Sequence, residues 1–120
     1  MANKIQFNHE KLEVYQTTIA FIAWLSPIIE VITKNRNIID QIDRASISAS
    51  LNIAEGNGKS SKKEHNRFIE IAIGSSLECA ACLDIMVAKK IIKDEQAQEG
   101  KAMLQKIVNM LYKLSASIIK

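Results

Sequence analysis

The stretch from Gln41 to Gly58 constrains the fold more than any other part of this 120-residue chain. At about 100° per residue, it places five polar side chains in one stripe of a helix: Gln41, Arg44, Ser48, Asn52 and Glu55. An apolar face lies on each side of the stripe, with Ile38, Ile42, Ala45, Ala49 and Ile53 on one side and Ile47, Leu51 and Ala54 on the other. A surface helix needs only one apolar face. The second face therefore predicts that the stripe is partly covered and that the chain assembles.

The same periodicity predicts three more helices. We predict helices over about 9–33, 38–55, 62–92 and from 99 to the C-terminus. Asn8 is the expected N-cap of the first helix, and Ser61 with Glu64 has capping-box spacing at the start of the third. Pro27 should kink the first helix rather than end it, because the apolar spacing continues beyond it. Gly74 predicts a close helix–helix approach.

Short polar connections join the predicted helices. Residues 34–37 form the first turn, and Gly56-Asn57-Gly58 tolerates the positive φ that a helix C-cap prefers. With 48% apolar residues, 4 Gly and 1 Pro, the composition suits a helical protein with an aliphatic core. We predict an all-α, antiparallel up-down-up-down four-helix bundle. It forms a single domain over 1–120, in which 1–8 is a loose N-terminal arm.

The residue types offer little for catalysis or metal binding. Cys79 and Cys82 form a C-x-x-C pair, but the pair lies in the middle of a predicted helix on an apolar face, whereas redox pairs sit at helix N-termini. A structural zinc site needs four Cys or His ligands, and the two histidines, His9 and His65, lie near the starts of different helices. We interpret both cysteines as small core residues and predict no catalytic, cofactor or metal site.

A basic turn follows the second helix. Gly56-Asn57-Gly58-Lys59-Ser60 ends like a phosphate-binding loop, but it lacks the first glycine of that motif and a preceding strand. The candidate phosphate or nucleic-acid contacts are Lys59, Lys62, Lys63 and Arg67, near the backbone amides that start the third helix. The alternative is a solvated basic turn.

Glu78 on the third helix completes the polar set. A covered carboxylate needs a partner, and Arg44 on the second helix is the natural candidate. We therefore interpret Gln41, Arg44, Ser48, Asn52, Glu55 and Glu78 as a structural network between helices. A small-molecule or catalytic site on Arg44, Asn52, Glu55 and Glu78 is the alternative.

These residues resemble a known family, the four-helix-bundle proteins encoded within 23S rRNA intervening sequences. The matching motifs are Leu12-Glu13-Val14-Tyr15, Gln41, Arg44-Ala45, Ser48, Asn52-Ile53-Ala54-Glu55-Gly56 with Gly58, Phe68, Ala72, Gly74-Ser75 and Glu78. The resemblance implies a bundle that assembles as a ring-like pentamer and has no defined biochemical activity. The related accessory proteins of diversity-generating retroelements are basic pentamers that bind nucleic acid and a reverse transcriptase.

The leading hypothesis is a non-enzymatic homo-oligomeric module associated with RNA or a ribonucleoprotein. A net charge of +3 is compatible with RNA or DNA as a partner but does not require one. The alternative is a protein-interaction adaptor without nucleic-acid binding. The N-terminal sequence lacks the apolar core of a signal peptide, and the apolar run 19–25 is too short to span a bilayer. We therefore expect a cytoplasmic protein with no membrane partner, in which both cysteines stay reduced.

Overall fold

Four long helices, preceded by a short 3-10 turn, account for most of residues 4–120, the part of the chain that the computed structural model describes. The turn η1 spans Asn8–Lys11, and the helices are α1 (Glu13–Glu30), α2 (Arg36–Asn57), α3 (Lys62–Ala88) and α4 (Asp94–Ile118). Contacts between α2 and α3 and between α3 and α4 are the most extensive, and α1 packs against both α2 and α4. The prediction of an all-α up-down four-helix bundle is confirmed.

An aliphatic core lies between the helices, as the composition predicts. Its largest fully buried apolar side chains are Phe21, Leu25, Ile42, Ile53, Ile69, Leu83, Met86, Ile107 and Leu111. Burying a side chain of this size stabilises the fold by roughly 1.5–3 kcal/mol relative to exposure. The core therefore draws on all four helices and holds them together through apolar burial.

The chain enters α1 differently from the prediction. Asn8 lies inside η1 rather than capping α1, and Phe7 is the N-cap of η1, where the Glu10 carboxylate accepts a hydrogen bond from its N–H at 2.7 Å. Leu12 is extended, which separates η1 from α1. Of the predicted arm 1–8, residues 4–7 lack regular secondary structure and 1–3 lie outside the described residues. At the other end, α1 continues through Pro27 and ends at Glu30.

Gly56, near the end of α2, has a steric role rather than a conformational one. Gly58 is the C-cap with φ −88°, and among residues 4–120 no glycine has positive φ, so that prediction is wrong. A Cβ at Gly56 would lie 2.8 Å from the Cβ of Phe68 and 3.3 Å from the His65 carbonyl oxygen. Gly56 therefore has to be small because the first two turns of α3 pack directly against it.

The turn between α3 and α4 ends α3 four residues earlier than predicted. Lys90 has φ 63°, in the left-handed region. The Ile91 N–H donates to the Met86 carbonyl at 2.8 Å, and the Lys90 N–H donates to the Val87 carbonyl at 2.9 Å. This is the Schellman arrangement, which usually places glycine at the left-handed position. A lysine there gives no sequence signal, which explains the error. α4 then begins at Asp94, where Asp94 and Glu95 complement the helix dipole.

Length and composition alone would allow α3 to cross a membrane. In the fold, α3 instead packs between α2 and α4, and it buries residues such as Ile69, Ala72, Cys79 and Met86. The apolar character of α3 therefore has a structural explanation in the bundle.

Candidate functional site

The polar stripe of α2 faces the flank of α3. The Gln41 amide donates a hydrogen bond to the Glu78 carboxylate, and the Ser48 and Ser75 hydroxyls lie 2.9 Å apart. The Asn52 amide donates to the Ser48 carbonyl oxygen at 2.8 Å and lies 3.1 Å from its hydroxyl. The structure thus brings four of the six predicted network residues together, and two side-chain pairs join the helices.

Arg44 and Glu55 do not join these contacts. Both side chains are exposed, and within residues 4–120 no salt bridge links Arg44 to Glu78 as the sequence predicted. Arg44 and Glu78 instead line an open depression of about 290 Å³, together with Gln41, Ser48 and Ser75. The Gln41 amide, rather than the Arg44 guanidinium, binds the Glu78 carboxylate, and the Arg44 side chain stays exposed to solvent.

The second apolar face of α2 stays uncovered within the chain. Ile47 and Leu51 are 43% and 55% exposed, whereas the opposite face, with Ile42 and Ile53, is completely buried. On α3, Ile71 and Ile85 are also exposed, and helical spacing places them on the side of α3 that carries the α2-facing Glu78. We call Ile47, Leu51, Ile71 and Ile85 the α2–α3 face. The chain's own helices therefore cover one of the two predicted faces, and not the other.

Gly74 belongs to the exposed surface rather than to a helix contact. A Cβ built there would meet no atom of the chain within 4 Å among the described residues, so the predicted close approach within the bundle is wrong. The buried close approach occurs at Gly100 of α4, where a Cβ would lie 2.6 Å from the Trp24 ring. The sequence offered no sign of this, because Trp24 and Gly100 lie 76 residues apart.

The four candidate phosphate contacts gather at one end of the bundle. The Ser61 hydroxyl caps α3 by accepting from the Glu64 N–H at 3.0 Å, as predicted. The Glu64 carboxylate, however, pairs with Arg67 at 3.2 Å instead of completing the capping box. Lys59 and Arg67 both lie over the Phe68 ring, at 5.1 Å and 4.8 Å from its centroid.

Lys62 and Lys63 are the more available cations of this group. Both are exposed, and within residues 4–120 neither has an ion-pair partner. The end of α4 reaches the same end of the bundle, because the Ser115 hydroxyl donates to the Asn66 side-chain oxygen at 2.5 Å. Lys113 therefore also lies near this end, which makes the bundle end formed by the α2–α3 turn a basic one.

The structure also contains a groove between α3 and α4 that the sequence did not predict. It encloses about 480 Å³ and is lined on its apolar side by Leu77, Ala80, Ala102 and Val108, with Lys101 among its polar residues. Leu77 is 50% exposed in this groove. The spacing of Lys101, Gln105 and Val108 on α4 was the available signal, since three- and four-residue steps align one helix face.

The two cysteines have the properties of core residues. Both are buried, and burial raises the pKa of the Cys79 thiol to about 12, with smaller contributions from Cys82 and Glu78. Burial, followed by the Glu78 charge, also raises the pKa of Cys82. A thiol held protonated is a poor nucleophile and a poor metal ligand. Within residues 4–120, no group of three or more His, Cys, Asp or Glu side chains is arranged to hold a metal ion.

Residues 10–113 match the family model described as 23S rRNA-intervening sequence protein. The chain belongs to this family. The match includes all of α1, α2 and α3 and most of α4, and so it contains the α2–α3 face, the basic end and the groove. Among curated proteins, no significant match to the chain was found.

A solved structure shares the fold of this family member. It is the structure of a protein of unknown function from the S23 ribosomal protein family of Bacteroides thetaiotaomicron, and it superposes with a TM-score of 0.78. The alignment covers 85% of this chain and 97% of the other at 18% sequence identity. At this identity the likeness concerns the fold alone.

Proposed function

We propose that this member of the 23S rRNA-intervening sequence protein family is a non-enzymatic homo-oligomeric module that associates with RNA or a ribonucleoprotein. The uncovered α2–α3 face carries the proposal. Its four large aliphatic side chains are between 39% and 55% exposed, on the two helices that are otherwise the most deeply packed. Large aliphatic side chains that stay exposed on two well-packed helices are typical of an interaction surface.

The total surface area supports assembly. The chain exposes 7559 Å² at a mass of 13.4 kDa. A monomer of that mass exposes about 6,500 Å², so this chain shows an excess of about 1,000 Å². The arm at 4–7 contributes part of the excess, since Ile5 and Phe7 are 82% and 66% exposed. A standard interface removes about 800 Å² from each partner, which is comparable with the excess. The resemblance makes a pentamer the assembly that we propose.

Sedimentation velocity tests the assembly. We expect the wild-type protein to sediment as an oligomer at micromolar concentration and Leu51→Glu to sediment as a 13.4 kDa monomer, because a carboxylate cannot be desolvated in an apolar interface. Val31→Glu is the matched control, since Val31 is 74% exposed and is not one of the four residues of the α2–α3 face, being the C-cap of α1. A wild-type protein that stays monomeric would refute the assembly.

The basic end supports the nucleic-acid part of the proposal. Lys59, Lys62, Lys63 and Arg67 lie within three turns of sequence at the N-terminus of a 27-residue helix, whose unpaired N–H groups and dipole also favour anions. Two of the four cations share the Phe68 ring, which holds them close together. Oligomerisation multiplies this charge, because each subunit adds the same cluster.

Salt-dependent binding to a structured RNA hairpin tests this surface. A variant with Lys59→Gln, Lys62→Gln and Lys63→Gln should bind more weakly. The slope of log affinity against log salt should fall by about 2 to 3, since each phosphate contact contributes roughly 0.7–0.9. The matched control replaces Lys89, Lys90 and Lys93 with Gln, which removes the same charge at the opposite end of the bundle. Equal losses in both triple variants would indicate that net charge, rather than this site, binds RNA.

We also propose that the protein has no enzymatic activity. Its support is that the two nucleophilic thiols are buried and protonated, and that Glu78 is held by the Gln41 amide. Buried reduced thiols also fit the cytoplasm, where we propose that the protein resides. An RNA-cleavage assay of the purified protein checks the first statement. Hydrolysis that persists through purification and is lost in Glu78→Gln would overturn it.

One observation favours a second candidate, a small-molecule site. The depression that Arg44 and Glu78 line is open to solvent, and it offers a cation, an anion and two hydroxyls within about 290 Å³. Such a set suits a small carboxylate or a zwitterion. Thermal shift measurements with a panel of these compounds would show stabilisation of the wild type that Arg44→Gln lacks. No shift with any compound would remove this candidate.

A further inference from the structure

We propose that the groove between α3 and α4, with two free lysines beside it, binds an unpaired RNA strand that continues from the basic end of the bundle. The occupant is thus a single-stranded polynucleotide. This inference rests on the RNA association proposed above and adds a second surface to it. The basic end contacts phosphates, whereas the groove contacts bases, and only base contacts distinguish one kind of strand from another.

The lining of the groove is polar but nearly neutral. Among residues 4–120, the one charged residue of the lining is Lys101, which pairs with Asp84 at 2.7 Å. The exposed polar side chains around it are the carboxamides of Gln98, Gln105 and Asn109. A carboxamide has both donors and an acceptor, and the edge of a nucleobase offers the same two kinds of group. A neutral, polar-edged base therefore matches this lining better than a charged group does.

The apolar part of the groove consists mostly of small side chains. Ala80, Ala102 and Val108 contribute to it, and the groove encloses about 480 Å³. This volume lies within the range of small-ligand pockets, roughly 300–1,000 Å³. Short aliphatic side chains leave room for the flat face of an aromatic ring. The groove is therefore large enough and apolar enough to receive a nucleobase.

An exposed tyrosine continues the groove towards the basic end. Tyr112 is 55% exposed. It follows Gln105 by seven residues and Val108 by four, and these spacings place it on the side of α4 that lines the groove. About one turn later, Ser115 donates a hydrogen bond to Asn66 in the second turn of α3, beside the basic end. Tyr112 thus lies between the groove and the basic end, where its ring can stack on an unpaired base.

Two free lysines lie along the outer edge of the groove. Lys106 is four residues after Ala102 and three before Asn109, and Lys113 is four after Asn109, so both are close to groove residues on α4. Their positions are about 10.5 Å apart along the helix axis. Both are exposed, and within residues 4–120 neither has an ion-pair partner. The same helix therefore offers cations for a phosphate backbone beside amides for its bases.

These features together favour an unpaired strand over the other possible occupants. In an RNA duplex the bases are paired and stacked, so neither the carboxamides nor the Tyr112 ring would reach them. An acidic peptide would satisfy Lys106 and Lys113, but it would bring no planar bases to the carboxamides and the apolar part of the groove. A single strand uses all of these groups at once.

Fluorescence anisotropy with two RNA probes tests the inference on the wild-type protein. One probe is a blunt hairpin, and the other is the same hairpin with an unpaired pyrimidine tail. We expect the tail to strengthen binding. Tyr112→Ala should weaken binding of the tailed probe by roughly 5- to 150-fold, the contribution of one base stacked on an aromatic side chain, and should leave the blunt probe unaffected. Tyr112→Phe keeps the ring and should bind both probes like the wild type.

A pair of charge variants tests the lysines. Lys106→Gln combined with Lys113→Gln should lower the slope of log affinity against log salt by about 1.4 for the tailed probe, since each phosphate contact on a single strand contributes roughly 0.7. Lys89→Gln combined with Lys93→Gln is the matched control, because it removes the same charge next to the turn between α3 and α4. This control should leave the slope unchanged. Equal losses in the two double variants would overturn the inference.

The remaining outcomes separate this inference from the proposed function. If the tail adds no affinity in the wild type, the groove site is wrong and RNA association at the basic end stands. If neither probe binds, both proposals fall. A polyglutamate peptide that displaces the tailed probe as well as an unlabelled pyrimidine strand does would assign the groove to an acidic chain. A changed sedimentation coefficient of Tyr112→Ala would assign it to a contact between copies. Circular dichroism verifies folding, and Asn109→Asp, which adds a carboxylate of the same size to the groove, replaces Tyr112→Ala if that variant does not fold.

Discussion

A methyl group added to Gly100 tests how tightly α1 and α4 pack. The new Cβ would lie 2.6 Å from two atoms of the Trp24 ring and 2.9 Å from a methyl carbon of Leu83. Ordinary carbon–carbon contacts lie at about 3.5–4.0 Å, so the ring or the helix must move by about 1 Å. The ring is held on one side by Phe21, with centroids 5.6 Å apart, and its Nε1 donates to Glu99 at 3.2 Å. Overpacking of this kind costs about 1–3 kcal/mol.

The same substitution at Gly74 isolates this steric cost. Replacing glycine by alanine inside a helix contributes about 0.8–1.0 kcal/mol of helix propensity at either position. At Gly74 the new methyl group meets no atom within 4 Å among the described residues. Gly74→Ala should therefore stabilise the chain by about 1 kcal/mol, and Gly100→Ala should be less stable than Gly74→Ala by the steric cost of about 1–3 kcal/mol. The comparison removes the propensity term, because both variants share it.

Urea unfolding followed by circular dichroism and Trp24 fluorescence measures both variants. The measurements belong in the Leu51→Glu background, where we expect a monomer and the midpoint does not depend on concentration. With a urea m-value of roughly 2 kcal/mol/M, the midpoints should differ by about 0.5–1.5 M. Equal midpoints for Gly74→Ala and Gly100→Ala would refute the close approach of Trp24 to α4.

Two further predictions concern Arg44 and His65. In the Leu51→Glu background, Arg44→Ala should shift the free energy of unfolding by less than about 0.5 kcal/mol, because the side chain is exposed and has no ion-pair partner within residues 4–120. A loss of several kcal/mol in urea unfolding would contradict this and would support the Arg44–Glu78 ion pair that the sequence predicted. Burial lowers the pKa of His65 below its ordinary value, so the folded chain takes up this proton at lower pH than the unfolded chain does. Stability should therefore fall as the pH drops through about 6.5 towards the folded pKa. Urea midpoints at about pH 7.5 and 5.5 should differ less in His65→Gln than in wild type; His9→Gln should retain the wild-type difference, and an unchanged difference in His65→Gln would contradict the assignment.

Local patterns predicted the secondary structure well and its ends less well. The spacing of apolar residues is set within a few turns of one helix, so four helices and the aliphatic core could be read before any tertiary contact was known. Ser61 was predicted as a cap because its hydroxyl bonds a backbone group three residues away. The end of α3 was predicted wrongly because a lysine occupies the left-handed position that usually signals a stop. Helix ends thus depend on conformations that residue identity only partly specifies.

Parts of the candidate site could likewise be predicted from local sequence patterns, and other parts could not. The sequence identified the polar stripe of α2, its contacts towards α3 and the basic turn, since each follows from residue type and helical spacing. The sequence could not predict the hydrogen-bond partner of Glu78. Gln41 and Arg44 are one turn apart on the same stripe, and only the packing of α2 on α3 selects between them. The α3–α4 groove was missed because it is formed by residues of two different helices that are 18 or more positions apart in the sequence.

By itself, the sequence determined that α2 has two apolar faces, since the chemical identity of side chains at helical spacing is a local property. Only the tertiary structure decided that Ile42 and Ile53 are buried while Ile47 and Leu51 remain at the surface. It also decided that Gly56 and Gly100 are needed for close packing and that Gly74 is not. Such choices depend on which distant segments meet, and a helical pattern carries no information about its neighbours.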